Sequence, residues 1–107
     1  DLHDKDGDVW EAQRAIELVT GDRQGAYGHP LDDYTATARI WSGILQDQLK
    51  PGVEITAELA ELCMIGVKLS RESRIHKDDN IVDTIGYALC LGRTRRERKR
   101  REENRCG

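Results

Sequence analysis

TAELAELCMIGVKLSRESRIHKDDNIVDTIGYALC, residues 56–90, decides the fold. Two segments carry apolar residues at helical spacing, and the short break IHKD separates them. Thr56 suits the cap of the first helix, about residues 57–74, and Asp78 or Asp79 suits the cap of the second. A connection this short makes the two helices antiparallel neighbours. Leu59, Leu62, Met64, Val67 and Leu69 supply apolar surface to the first helix; Ile81, Val82, Ile85, Ala88 and Leu89 supply it to the second.

Working toward the N-terminus, a helix to about Leu49 opens at Pro30, a residue that fits a first helical turn. Its row is Tyr34, Ala38, Trp41 and Leu45, with Ile40 and Ile44 beside it, and Pro51-Gly52 breaks the pattern. An earlier helix runs from a cap at Asp8 to Thr20, with Val9, Ala12, Ile16 and Val19 on one face, and Gly21 ends it. Residues 1–7 are polar and read as frayed. The expectation is an all-α protein, a four-helix bundle in residues 1–92. From residue 93 onward RTRRERKRREENRCG has no apolar side chain except Cys106, so a basic C-terminal tail is expected to fray or project.

The chain has 107 residues, 35% charged and 37% hydrophobic, which fits one small domain whose modest core favours a homodimer or higher homo-oligomer. The net charge of −3 divides unevenly: nine basic against 17 acidic side chains in residues 1–92, and eight against three in residues 93–107. A basic run such as Arg93 to Arg101 binds nucleic-acid phosphates without sequence preference, although no aromatic is interleaved for stacking. A solubilising or acidic-partner-binding tail is the plainer reading. Cys63, Cys90 and Cys106 form no close ligand pair; Cys63 and Cys90 fall in apolar helical patterns. An odd cysteine count, no export signal and no apolar run of membrane length set the expectation of a cytoplasmic protein with no membrane segment.

Glu58, Glu61, Ile65, Lys68 and Glu72 share one face of the helix at 57–74, and Asp79, Asp83 and Tyr87 share a stripe of the next, with Asn80 three residues before Asp83. Facing carboxylates repel unless a cation lies between them, and a hard divalent ion with oxygen ligands fits that need. The motif E58-x-x-E61 followed by N80-x-x-D83 resembles the E-x-x-E … E-x-x-D pattern of the MazG-like, all-α nucleotide pyrophosphohydrolases. That resemblance implies Mg²⁺ (Mn²⁺ as a substitute) held by Glu58, Glu61 and Asp83, with Asn80 at the fourth position and the neighbouring Asp79 as a substitute for it. It implies Glu61 and Asp83 as catalytic residues and cleavage of a (d)NTP to monophosphate and pyrophosphate. Residues 11–92 look more like a family of small phage-encoded proteins of unknown function, which places the chain in the host cytoplasm. Asn80 stands where the pattern has Glu, which turns the alternative toward a nucleotide-binding or sequestering protein without turnover. Hairpin arithmetic about His76 sets Glu72 opposite Asn80 and Leu69 opposite Asp83, with Glu61 two turns from Asp83. A second cluster then forms nearer the turn, from Glu72, Asp79 and Asp83 with Lys68 and Arg71, and its mixed charge suits phosphate recognition or salt bridging.

The stretch GDRQGAYGHP, residues 21–30, reads as a glycine-rich loop. Its backbone N–H groups suit an anion, Arg23 a phosphate, and Tyr27 a base or ribose; His29 sits beside a helix start. With Lys68, Arg71, Glu72 and Tyr87 these make the expected nucleotide-binding set.

Overall fold

In the computed structural model of the protein, residues 7–106 are described. Residues 1–6 and 107 lie outside them, and most of the segment read as frayed at the N-terminus with them. The chain is all-helical: α1 Trp10–Thr20, α2 Asp22–Tyr27, α3 Pro30–Ile44, α4 Ala57–Arg74 and α5 Asp78–Cys106.

Local chemistry sets several of the boundaries. Pro30 stands at the first turn of α3, and the residue before it, His29, caps the helix by accepting from Leu31 N through Nδ1 at 3.0 Å. Thr56 caps α4 as expected, its hydroxyl accepting from Leu59 N at 3.2 Å. The expected Asp8 cap does not form: Val9 is the N-cap of α1, with no side-chain bond. α3 stops at Ile44 rather than near Leu49, and the loop that follows is stitched back by Ile55 N donating to Ser42 Oγ at 2.8 Å.

Two expectations are corrected. GDRQGAYGHP is not an open loop, because Asp22–Tyr27 forms a helical turn and a half. Gly28 ends it at φ 75°, a conformation glycine adopts without strain. Gly25 N and Gly28 N donate to Gly21 O and Gln24 O, so these backbone donors are spent within the turn. The basic segment does not fray either. α5 continues without a break through residue 106 and, at about 1.5 Å per residue, spans about 43 Å.

Polar contacts with distant acids and acceptors explain that continuation. Arg93 donates to Val19 O and Gln24 Oε1. Arg98 forks onto Glu58 at 2.6 and 2.7 Å. Arg101 forks onto Asp32 at 2.7 and 2.9 Å. Thr94, fully buried, donates to Glu61 Oε2 at 2.7 Å.

α5 is the common wall. It packs against α1, α3 and α4, whereas α1 touches only α5 and α2. The core between these helices is built largely from small side chains, among them Ala15, Val19, Ala38, Ala57, Ala60 and Cys90, with Leu31 and Tyr34 as its bulkier members. Small residues let the helix axes approach closely but bury little apolar surface, so the polar clasps carry a larger share of the fold. Thr94→Val leaves the buried Glu61 carboxyl without its donor, a loss of about 1–3 kcal/mol. Denaturant unfolding of the variant is expected to show a lower midpoint with an unchanged slope.

Candidate functional site

A cavity of about 390 Å³ opens between α1, α2 and α5. Leu18 and Val19 of α1, and Val82, Gly86 and Tyr87 of α5, give it an apolar lining. Arg23, Tyr27 and Asp83 also line it. Arg23 and Tyr27 are four residues apart on α2, so one helical turn carries both to the same face.

Arg23 is held from several directions. Its guanidinium carbon lies 5.3 Å from the Tyr27 ring centre, 5.2 Å from Tyr34 and 6.0 Å from Tyr87. Its Nη2 donates to Asp33 Oδ2 at 3.0 Å and to the Tyr34 hydroxyl. Tyr34 and Tyr87 meet edge to face with centroids 6.1 Å apart. Burial pushes the Tyr34 phenol far above its ordinary pKa, with Arg23 pulling the other way, so it stays a neutral hydroxyl. Asp83 is tied on its other side to Lys68 of α4, Nζ to Oδ2 at 2.8 Å.

The expected residues therefore fall into separate groups. Arg23, Tyr27, Asp83 and Tyr87 come together at the cavity. His29 does not line it; the ring caps α3, and burial, aided by the charge of Arg93, lowers its pKa and keeps the capping nitrogen unprotonated. Lys68 and Arg71 do not converge on one anion, because Lys68 pairs with Asp83 while Arg71 lines a separate cleft with Arg74 and Lys77. Glu72 clasps the α4–α5 turn, accepting from Lys77 N and from Asn80 Nδ2, each at 3.1 Å, and contacting His76. The hairpin register of Glu72 against Asn80 is the one that the sequence arithmetic sets.

The expected metal ligands do not form one set within the chain. Glu58 belongs to Arg98, whose hydrogen bonds hold its carboxyl below the usual range. Glu61 belongs to Thr94, Asp83 to Lys68, and the Asn80 amide to Glu72; Asp79 is exposed. Among the described residues no group of three or more His, Cys, Asp or Glu side chains is placed to hold a metal ion. This donor set does not fit Mg²⁺ or Mn²⁺ in a single chain.

Cys90 is buried, as its apolar helical pattern predicts, whereas sequence reasoning missed the inward roles of Thr94 and the arginines. Thr94 and Arg98 are four apart on α5 and face Glu61 and Glu58, three apart on α4. That matching of two spacings is the signal that finds them.

A small all-α protein with one tyrosine-lined, arginine-bearing cavity is the class that fold and site define. The chain belongs to the family of the domain of unknown function DUF6378, which it matches over residues 12–95. It is similar to the Gene 55 protein of Mycobacterium phage D29, 33% identical over 84 residues, 78% of this chain and 50% of that protein. The chain thus spans about half the length of the curated relative it matches. These matches support the expected likeness to phage proteins of unknown function and carry no MazG-like resemblance. No solved structure matches. Among the described residues no helix is long and apolar enough to cross a membrane.

Glu61 is fully buried, with Oε1 lacking any hydrogen-bond partner. Burial pushes its pKa up to about 7, against the opposing pull of Thr94. In the unfolded chain the carboxyl ionises near 4.5, so between that pH and about 7 the folded state binds more protons. Stability attributable to this group is therefore present at acid pH and falls as pH rises across the window. Glu61→Gln is expected to flatten that decline, on the order of 1–3 kcal/mol, in denaturant midpoints measured from pH 5 to pH 8.

Proposed function

We propose that this protein binds a nucleotide at the Arg23–Tyr27–Tyr87 cavity and does not hydrolyse it. The observation that carries the reading is the convergence of an arginine, two tyrosines and a carboxylate on one largely apolar cavity of about 390 Å³. Such a volume lies in the range of small-molecule sites, and a mostly apolar lining with a few convergent polar groups is their usual character. A base finds planar partners in Tyr27 and Tyr87, its amino group or a ribose hydroxyl finds an acceptor in Asp83, and a phosphate finds Arg23. Binding without turnover is favoured because Glu58, Glu61 and Asp83, three of the carboxylates that would hold a catalytic cation, are each engaged elsewhere.

The reading is tested by titrating the protein with ribo- and deoxyribonucleotides, with and without Mg²⁺, by calorimetry, alongside a pyrophosphate-release assay. Saturable binding that is independent of Mg²⁺, with no pyrophosphate, is expected. Gly86→Met, which fills the cavity beside Val19, is expected to weaken binding at least tenfold while the fold persists. Turnover with Mg²⁺ replaces this reading with the pyrophosphohydrolase one, and absence of binding across the panel removes both.

We also propose self-association through the outer face of α4. Leu59, Leu62 and Leu69 are 45%, 44% and 55% exposed, and Gly66 lies between them with open space over its Cα. An antiparallel twofold pairing about residue 64 sets Leu62 against the partner's Gly66 and Leu59 against the partner's Leu69. Light scattering is expected to give a dimer mass, and Leu62→Arg a monomer with the helical circular-dichroism signal retained. A monomeric parent protein at high concentration rules the pairing out.

A further inference from the structure

The cations on the second half of α5 divide into two sets. Arg93, Arg98 and Arg101 turn inward and are satisfied by Val19 and Gln24, by Glu58 and by Asp32. Arg95, Arg96 and Lys99 are exposed and form no ion pair among the described residues. Arg95 and Lys99 are four residues apart, as are Arg96 and Arg100, so cations stack on successive turns where they repel one another and weaken the helix. Only Arg100 has relief, from Glu97. Arg95 draws electrostatically on Glu58 and Glu61, but the outward set adds no ion pair to the fold among the described residues and leaves charge free to meet an anion.

Beside this ridge lies a second concavity. A cleft of about 510 Å³ between α3 and α5 is lined by Arg39, Arg98, Arg101 and Arg105. Arg39 and Arg105 are exposed and likewise without an ion pair among the described residues. The acids at the cleft are Asp32, which is held by Arg101, and Glu102. At 100° per residue, Arg98, Arg101 and Arg105 occupy one side of α5, and Arg95 and Lys99 the side adjoining it. Cleft and ridge therefore adjoin as one mainly cationic surface around this end of the helix, with Glu102 falling between Arg98 and Arg95.

We propose that this surface binds the phosphodiester backbone of a nucleic acid. Guanidinium forks match phosphate oxygens, and cations strung around a helix match a chain of phosphates better than a single anion. No aromatic side chain lines the cleft, and none occurs in residues 93–106, so bases are not stacked and the contact is independent of sequence. The acidic remainder of the chain repels the polyanion and confines contact to this end. The site is separate from the tyrosine cavity and stands or falls independently of it.

The test uses fluorescence anisotropy of the full chain with a labelled duplex of arbitrary sequence, a scrambled duplex and poly-glutamate. On this surface the cations without an ion pair among the described residues are Arg39, Arg95, Arg96, Lys99 and Arg105, so log K against log salt is expected to fall with a slope of about −4.5. Affinity then drops several hundred-fold between roughly 50 and 200 mM salt. Both duplexes are expected to bind alike. The triple variant Arg95→Gln, Arg96→Gln, Lys99→Gln is expected to reduce the slope by about 2.7, with its thermal midpoint no lower than that of the parent. Truncation at residue 92 is not an equivalent test, because it also removes Thr94, Arg98 and Arg101 from the fold. The proposal is overturned by no duplex binding at low salt, by a triple variant that binds like the parent, or by preference for poly-glutamate over the duplex. The last outcome assigns the surface to an acidic protein partner.

Discussion

The docking of α5 along its whole length is the constraint on which the other helices depend. α1 reaches the body of the protein only through α5 and the short α2, while α3 and α4 close on its other side. The apolar half of α5 buries Val82 and Cys90, and Cys90 shares a core cluster with Val19, Ala57 and Ala60. Side chains of this size permit close packing but withdraw little apolar area from water, and burial energy scales with that area. The second half has no apolar side chains to bury. It is held by charge-assisted, bidentate bonds to Glu58 and Asp32 and by the buried bond between Thr94 and Glu61. A 29-residue helix thus changes its mode of attachment midway, from apolar packing to ion pairing.

This division accounts for the uneven charge. The body carries an acidic excess and α5 ends in a basic one, and part of each excess is spent on the other. Exposed ion pairs are weak one at a time, and the outer contacts of Arg101 are of that kind. Glu61 is different, because the carboxyl is fully buried with a single donor. Retaining its proton toward neutral pH avoids the larger cost of burying a charge with one oxygen unsatisfied.

Features fixed by neighbours in the chain were legible in the sequence. Thr56 before α4, Pro30 at the start of α3 and Gly21 after α1 act on backbone groups within a few residues, so composition and spacing reveal them. The turn register was legible for the same reason, since Glu72 and Asn80 are eight residues apart. The fate of residues 93–106 was not. Hydrophobic periodicity registers only apolar contacts, and this segment docks through Arg98 to an acid 40 residues away and Arg101 to one 69 residues away. The carboxylate stripes misled for a related reason. Spacing places Glu58 and Glu61 on one face of α4, but only the register of the opposite helix reveals that the face meets Arg98 and Thr94 rather than more acids. Three glycines in GDRQGAYGHP hid a short helix, although two of them serve as its boundaries.

That short helix is where the fold and the proposed ligand site meet. Arg23 is part of the cavity lining and is also the side chain that ties α2 to α3, through Asp33 and Tyr34. An anion entering the cavity competes with Asp33 for the same guanidinium, and both would be stabilised by the surrounding tyrosine faces. Asp83 stands in a similar position, with Lys68 on one side and the cavity on the other. Both charged groups at the cavity, Arg23 and Asp83, therefore already have a counter-charge within the chain. Ligand binding at such a site is an exchange of partners, so its strength reflects the difference between an internal carboxylate and an incoming phosphate. Such an exchange would act on the contact between α2 and α3, because Arg23 is a polar link between them.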